Sequence, residues 1–459
     1  MLDRVQALSP PRRAHGISSG PGAALAHFVV GAAVAGVAVV VLPPLQALVV
    51  AGGAFVLLGL SAVAVRGWSD VEIYAGLVIV ASSFVDLPRN VVIGPATALA
   101  GLSFIYAVGA TLIRLNHSRT HPSKLLLRPL WLFVIWAILS ALRTGSDIKV
   151  MQQLSVAVMF VATAGVVAAA APARFGFIQR MGNLLVLGAL VSTGLYGVGV
   201  ILGGLGGEFL IGSRTYALFA LMTLAWSLAS FRYGNKFALL VTLITLAGIF
   251  TSLSRLALGA ALVLVVLAWF KLTSLMSILR ALTLLGIGSF LMINAISNID
   301  ALNERFLEGD VLRVGGGLAV NVSGRANLWG VTWDSFMESP WIGKGPGSAE
   351  DAVSSRFPEV AHPHNDYLKL LHDYGIIGGA LFLFGFFRLM LISRRRWAVA
   401  DRIGDREGAR LHLAAFLALV ATALAMITDN SLAYVFQMAP LAVMVGMSLS
   451  HTNSPKAAA

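Results

Sequence analysis

Fourteen apolar stretches, most of them near twenty residues long, run through this chain, and the polar residues gather in the gaps between them. Their approximate limits are 25–42, 45–65, 71–86, 91–114, 127–143, 151–171, 182–202, 214–231, 236–253, 255–271, 277–297, 366–392, 410–428 and 431–450. A helix of about 20 apolar residues crosses a hydrocarbon layer of ~30 Å. The stretches are too long for the short alternating segments of a β-barrel. Pro43 and Pro44 alone separate the first pair, and the third stretch is short enough to be re-entrant. The pattern therefore predicts an all-α fold: a polytopic membrane helix bundle of about 12–14 transmembrane helices, with one large external loop containing short helices.

Charge sets the orientation of these spans. Arg114, Arg119, Lys124 and Arg128 fill one gap without an acid. Arg174 and Arg180, Arg232 and Lys236, Lys271 and Arg280, and the run from Arg388 to Arg410 follow in the same register. Strict alternation puts all of them on one side, and the positive-inside rule makes that side cytoplasmic. Both termini fall there too. The segment 298–365 falls on the opposite, external side with nine acids and five bases. The expected organisation is a cytoplasmic disordered tail (1–24), one transmembrane domain (25–450) that includes the external loop 298–365, and a cytoplasmic tail (451–459).

Composition narrows the class further. Only 12% of the 459 residues are charged and 58% are hydrophobic, against about 25% charged in a soluble domain. The net charge of +12 resides in cytoplasmic loops, where it suits anionic lipid headgroups. No basic, aromatic-interleaved soluble module exists, so no nucleic-acid partner is expected. The absence of cysteine excludes disulfides, thiol nucleophiles, iron–sulfur clusters and Cys-ligated zinc. The N-terminus reads as an uncleaved first span rather than a removed signal peptide.

A few polar groups remain that could do chemistry, and they share the external side. Arg214 opens the eighth span, Arg255 sits in the tight break between spans nine and ten, and Arg325 and Lys344 lie in the external loop. Each could snorkel to headgroups or pair with a carboxylate. Several together suit an anionic lipid-linked substrate, a diphosphate above all, because Arg binds phosphate bidentately and keeps its charge. His364 follows the loop in HNDYLKLLHDYGIIG, beside Asn365. An imidazole there can exchange a proton or donate a hydrogen bond near neutrality.

Trp329, Trp333, Phe336, Met337 and Trp341 recur near helical period, as substrate-packing groups or as an interfacial belt. Gly343, Gly345 and Gly347 lack any βαβ context and read as a turn or a place of close backbone approach. Asp429 and Asn430 either cap the last helix or face the site. His362 and His364 do not make a diagnostic metal pair, so no metal and no cofactor are expected.

His364, Asn365, Gly375 and Gly378 satisfy a pattern of His-Asn, nine residues, Gly, two residues, Gly. With it come the Ser-Arg break TSLSRLALGA and the Arg–Trp segment GRANLWGVTWDSFMESPWIGKGPG. From about Arg214 to Asn430 the chain resembles the O-antigen ligase and polysaccharide polymerase superfamily. The resemblance implies a GT-C-like, metal-independent, inverting glycosyltransferase of the bacterial cytoplasmic membrane, working on its periplasmic face. The donor implied is a glycan on undecaprenyl diphosphate; the acceptor is lipid A–core for a ligase, or a second lipid-linked repeat for a polymerase.

The same resemblance implies His364 as the catalytic residue and Arg214, Arg255 and Arg325 on the diphosphate. Lys344, Asn365, Trp329 and Asp429 are candidate substrate contacts. A paired-Arg loop pattern associated with some polymerases is absent at Arg214 and Arg325, which favours the ligase. A lipid-linked oligosaccharide transporter is the alternative of another class. It would need charges at mid-membrane depth, where these spans carry almost none.

Overall fold

In the computed structural model the described residues are 68–83, 123–145, 148–173, 176–206, 211–270, 274–298, 311–314, 318–321, 325–360 and 362–451. The expected spans 25–42, 45–65 and 91–114, the tail 1–24 and residues 452–459 lie outside them. The chain divides into two compact units, 1–73 and 74–459, and all the functional elements lie in the second.

Thirteen α-helices are described. They are α1 (Asp70–Ser82), α2 (Ser123–Thr144), α3 (Ile148–Ala170), α4 (Phe177–Gly203), α5 (Ser213–Arg232), α6 (Phe237–Thr251) and α7 (Arg255–Trp269). Then follow α8 (Leu275–Asn298), α9 (Arg325–Met337), α10 (Ser348–Arg356), α11 (Asp366–Arg402), α12 (Arg406–Ala425) and α13 (Val435–Ser450). Eleven of them coincide with predicted spans to within a few residues, except that α11 runs on through its basic end and α13 begins late. Six helices (α2, α3, α4, α8, α11 and α12) are long and apolar enough to cross a membrane, and α1, α6, α7 and α13 are shorter apolar helices. The architecture is that of a polytopic helical membrane protein.

Two features of the loop 298–365 bear on the all-α expectation. Its short helices α9 and α10 are present as expected. Between α8 and α9 an antiparallel ribbon pairs β1 (Val311–Val314) with β2 (Leu318–Asn321), Val311 opposite Asn321. The β-branched valines favour extended backbone, and three glycines separate the strands in sequence.

Packing follows the alternation of the chain. The α3–α13, α11–α12, α11–α2, α5–α12 and α5–α6 pairs carry the bundle, with α7 against α5 and α12. The apolar side chains of α8 instead point outward: Leu282, Ile287, Phe290, Leu291 and Ile293 are all exposed, the signature of a lipid-facing helix. Antiparallel succession brings the starts of α5, α7, α11 and α13 and the ends of α4, α6, α8 and α12 to one end of the bundle. Arg214, Arg255, His364 and Asp429 therefore all lie at that end. Arg232, Lys236 and the Arg394–Arg410 run lie at the other.

Candidate functional site

His364 is held in a conformation that few residues tolerate. Its φ is 52°, in the left-handed region where a side chain with Cβ is strained by roughly 1–3 kcal/mol. The next residue, Asn365, caps α11 by accepting the Leu368 N–H at 3.0 Å. Trp329 on α9 donates its indole N–H to the Pro363 carbonyl at 3.0 Å. A capped helix on one side and a tryptophan tether on the other thus fix the turn that presents the His364 ring.

The ring meets two donors. Arg214 Nη2 lies 2.9 Å from His364 Nδ1, and Asn430 Nδ2 lies 3.0 Å from the same atom. A guanidinium has no lone pair to offer, so Nδ1 must be the acceptor and the neutral ring carries its proton on Nε2. Arg214 is itself clamped side-on by Asp429, Nε to Oδ2 at 2.6 Å and Nη2 to Oδ1 at 2.5 Å. That bidentate, charge-assisted pair aims the remaining Nη2 hydrogen at the imidazole. Burial, and then the positive charges of Arg214 and Arg325, push the His364 pKa down from its ordinary value to about 3. His364 is therefore a neutral hydrogen-bond donor at physiological pH. Arg214 Nη1 and His364 Nε2 meet no partner among the described residues.

The other residues expected from sequence divide clearly. Asp429 faces the site and does not cap α13, whose N-cap position is Tyr434. Arg325 opens α9 and its charge reaches His364. Arg255 opens α7 at the same end of the bundle, after Ser254 caps that helix and Leu253 turns at φ 54°. Lys344 is turned to other partners, its ammonium 2.5 Å from Glu338 Oε2 and 3.0 Å from Ser335 Oγ. Asn365 and Trp329 use their polar atoms on the backbone, as cap and tether.

A second polar cluster lies two turns further along α11, at a break in the helix. Gly375 has φ 69° and ψ −178°, a conformation open in practice only to glycine. The loop before α10 fills the gap. Lys344 N–H bonds to His372 O at 2.9 Å, Gly345 N–H to Asp373 O at 2.8 Å, and Ile376 N–H to Pro340 O at 2.8 Å. Trp136 on α2 takes the Tyr374 carbonyl at 2.9 Å. A Cβ on Gly343 or Gly375 would stand against the facing backbone, and one on Gly378 against Trp136. The glycine pattern seen in the sequence is thus a docking of backbone on backbone rather than a ligand loop.

Beneath it Asp373, fully buried, is saturated. Its carboxylate accepts from Ala349 N (2.8 Å), Gly347 N (3.1 Å), Ser348 Oγ (3.2 Å) and Lys369 Nζ (2.8 Å). Glu350 lies 3.4 Å from Lys369 Nζ and accepts from Gln153 Nε2 at 2.8 Å. His362 Nδ1 stands 3.1 Å from Glu350, close enough for an ion pair but poorly directed for a hydrogen bond.

Residues 237–383 match the family model described as O-antigen ligase. That stretch is similar to the O-antigen ligase family, which supports the superfamily resemblance read from the motif. The matched stretch holds His364, Asn365, Arg255, Arg325, Trp329 and Lys344, while Arg214, Asp429 and Asn430 lie outside it. No curated protein matches the chain.

Proposed function

We propose that this membrane protein of O-antigen ligase type transfers a glycan from undecaprenyl diphosphate to an acceptor hydroxyl, with lipid A–core as the acceptor. The observation that carries this reading is the corner in which Arg214, fixed by Asp429, holds a neutral His364 with its Nε2–H free. Such a donor, preset in a partly water-excluded place, stabilises negative charge developing on a phosphate or sugar oxygen. Arg255 and Arg325 supply the positive charge for the diphosphate. Arg214 is already paired with Asp429, so its share is the orientation of His364 and the two hydrogens on Nη1. The diphosphate is a good leaving group, so charge neutralisation and positioning carry most of the catalysis, and no metal is required. Attack from the face opposite the leaving group inverts the anomeric carbon.

The site faces the periplasm of the bacterial cytoplasmic membrane on this reading, because the basic end of the bundle takes the cytoplasm. A polymerase would use the same chemistry with a second lipid-linked repeat as acceptor. The deciding experiment is transfer in liposomes by the purified protein, with an undecaprenyl diphosphate glycan and either lipid A–core or a second lipid-linked repeat. We expect transfer to lipid A–core, undiminished by EDTA, and a drop of about 10²–10³-fold in His364→Ala. In this cysteine-free chain, Ser355→Cys should label from outside with an impermeant reagent and Glu407→Cys should not. Full activity in a folded His364→Ala variant would remove the catalytic assignment, and reversed labelling would invert the topology.

A further inference from the structure

Glycosyl transfer frees one proton from the acceptor hydroxyl, and the corner just described has no obvious place for it. His364 Nδ1 is occupied by Arg214, and its Nε2 already bears hydrogen. Accepting another would make an imidazolium beside Arg214 and Arg325. Asp429 is taken up by the guanidinium through both oxygens.

Two residues beyond His364 stands Asp366, fully buried at the first turn of α11. Its Oδ2 accepts the Leu432 N–H at 2.9 Å, while Oδ1 has no partner. An unpartnered carboxylate oxygen in a protein interior is costly and calls for a ligand. Asp366 lines a cavity of about 40 Å³ together with Lys369, Gln153, Phe133, Phe160 and Leu432. About 10–15 Å³ suffices for one water, so the cavity has room for two or so. The connection that brings Leu432 to Asp366 also carries Asn430, which touches His364, and Ser431, whose buried hydroxyl likewise lacks a partner.

We propose that Asp366, through water held in this cavity, takes the proton of the acceptor hydroxyl. The proposal rests on the glycosyl-transfer reading above. The acceptor O–H breaks as its oxygen bonds to the anomeric carbon, and the bond from that carbon to the diphosphate breaks with the electron pair leaving on phosphate. Each water gives one proton and receives one, and the last proton converts the Asp366 carboxylate to the acid. The charges and titratable groups around Asp366 are Lys369 and Tyr367 on its own helix, Asp429 and Tyr434 on the α12–α13 connection, and Arg214 on α5. Asp366 acts through water, so it is a proton-relay residue and not a group in contact with substrate.

The test uses the full chain in liposomes with an undecaprenyl diphosphate glycan and the acceptor that the wild type uses. Asp366→Asn keeps an oxygen for the Leu432 N–H but cannot take a proton. We expect the wild-type kcat to rise with pH, and Asp366→Asn to keep donor affinity and KM within about threefold of wild type, lower kcat by about 100-fold and lose that rise. Asp366→Glu should recover part of kcat. Wild-type turnover in Asp366→Asn overturns the proposal, and so does a loss of donor affinity equal to the loss of turnover, which marks a structural role. Should Asp366→Asn fail to fold, the wild type decides: a kcat independent of pH on the acid side overturns it. A wild type that transfers to neither acceptor sinks the glycosyltransferase reading itself, a separate failure.

Discussion

The first turns of α11 carry two buried polar clusters that look alike in sequence and differ in one respect. Around Asp373 the carboxylate is surrounded by backbone N–H groups, a hydroxyl and an ammonium, and it holds the start of α10 to the broken helix. Around His364 the bonding is incomplete: buried Asp366 Oδ1 has no partner among the described residues, and neither do Nε2 of the partly exposed His364 and Nη1 of the partly exposed Arg214. A satisfied buried network rigidifies, and an unsatisfied one is expensive unless something else completes it. On the proposed function the first cluster belongs to the scaffold and the second to a ligand. Saturation, more than charge, tells them apart.

Breaking the saturated cluster should produce the largest effect. Asp373→Ala leaves the buried Lys369 ammonium with Glu350 alone, and losing one partner of a buried pair costs about 3–5 kcal/mol. Unfolding in detergent should show that loss, with transfer falling in step. A loss under about 1 kcal/mol would erase the contrast between the clusters.

A subtler change in the open cluster should do the reverse. Arg214→Lys keeps the charge but loses the planar fork that grips Asp429 and His364 together. Transfer should fall by about tenfold to a hundredfold, the equivalent of a charge-assisted hydrogen bond at roughly 1.5–3 kcal/mol, while the unfolding midpoint barely moves. A large drop in stability with proportionate activity would make Arg214 another scaffold residue.

A third effect is one of pH. The folded-state pKa of His364 is about 3, below the ordinary 6.5, so between these values the unfolded chain binds the proton that the folded chain refuses. The His364 contribution to stability is complete above about pH 6.5 and is lost as pH falls toward about 3. Across that window the unfolding midpoint of the wild type should rise with pH relative to that of His364→Gln. Parallel curves would mean that the ring is not held neutral.

Much of this was legible in the chain itself. Eleven helices follow from apolar runs alone, and the alternation of basic gaps puts Arg214, Arg255, His364 and Asp429 at one end without any contact being known. Hydropathy could not tell which cations were already paired. Lys344 looked like Arg214 in sequence, yet its partners are Glu338 and Ser335, six and nine residues before it. Asp366 was hidden because an acid just after Asn365 reads as an ordinary first-turn helix residue. Its missing partner appears only when the connection between α12 and α13 brings Leu432, 66 residues on, against its other oxygen. The polar run Thr428-Asp429-Asn430-Ser431 between two apolar helices was the one signal that pointed there, and it also explains why α13 starts at Val435 rather than at 431.

The break at Gly375 also changes where the membrane surface lies. Hydropathy would begin the span at Asp366, placing His364 at the edge of the hydrocarbon. The uninterrupted rod begins at Ile376, and its stretch before the Arg394–Arg396 run is 18 residues, about 27 Å at 1.5 Å per residue, close to a hydrocarbon layer of ~30 Å. This rod alone can span the bilayer. The nine residues before Gly375 then form a spacer of about 14 Å that lifts His364 toward the headgroup region. On the proposed function, that height suits a site for the phosphates and first sugars of a lipid-linked glycan.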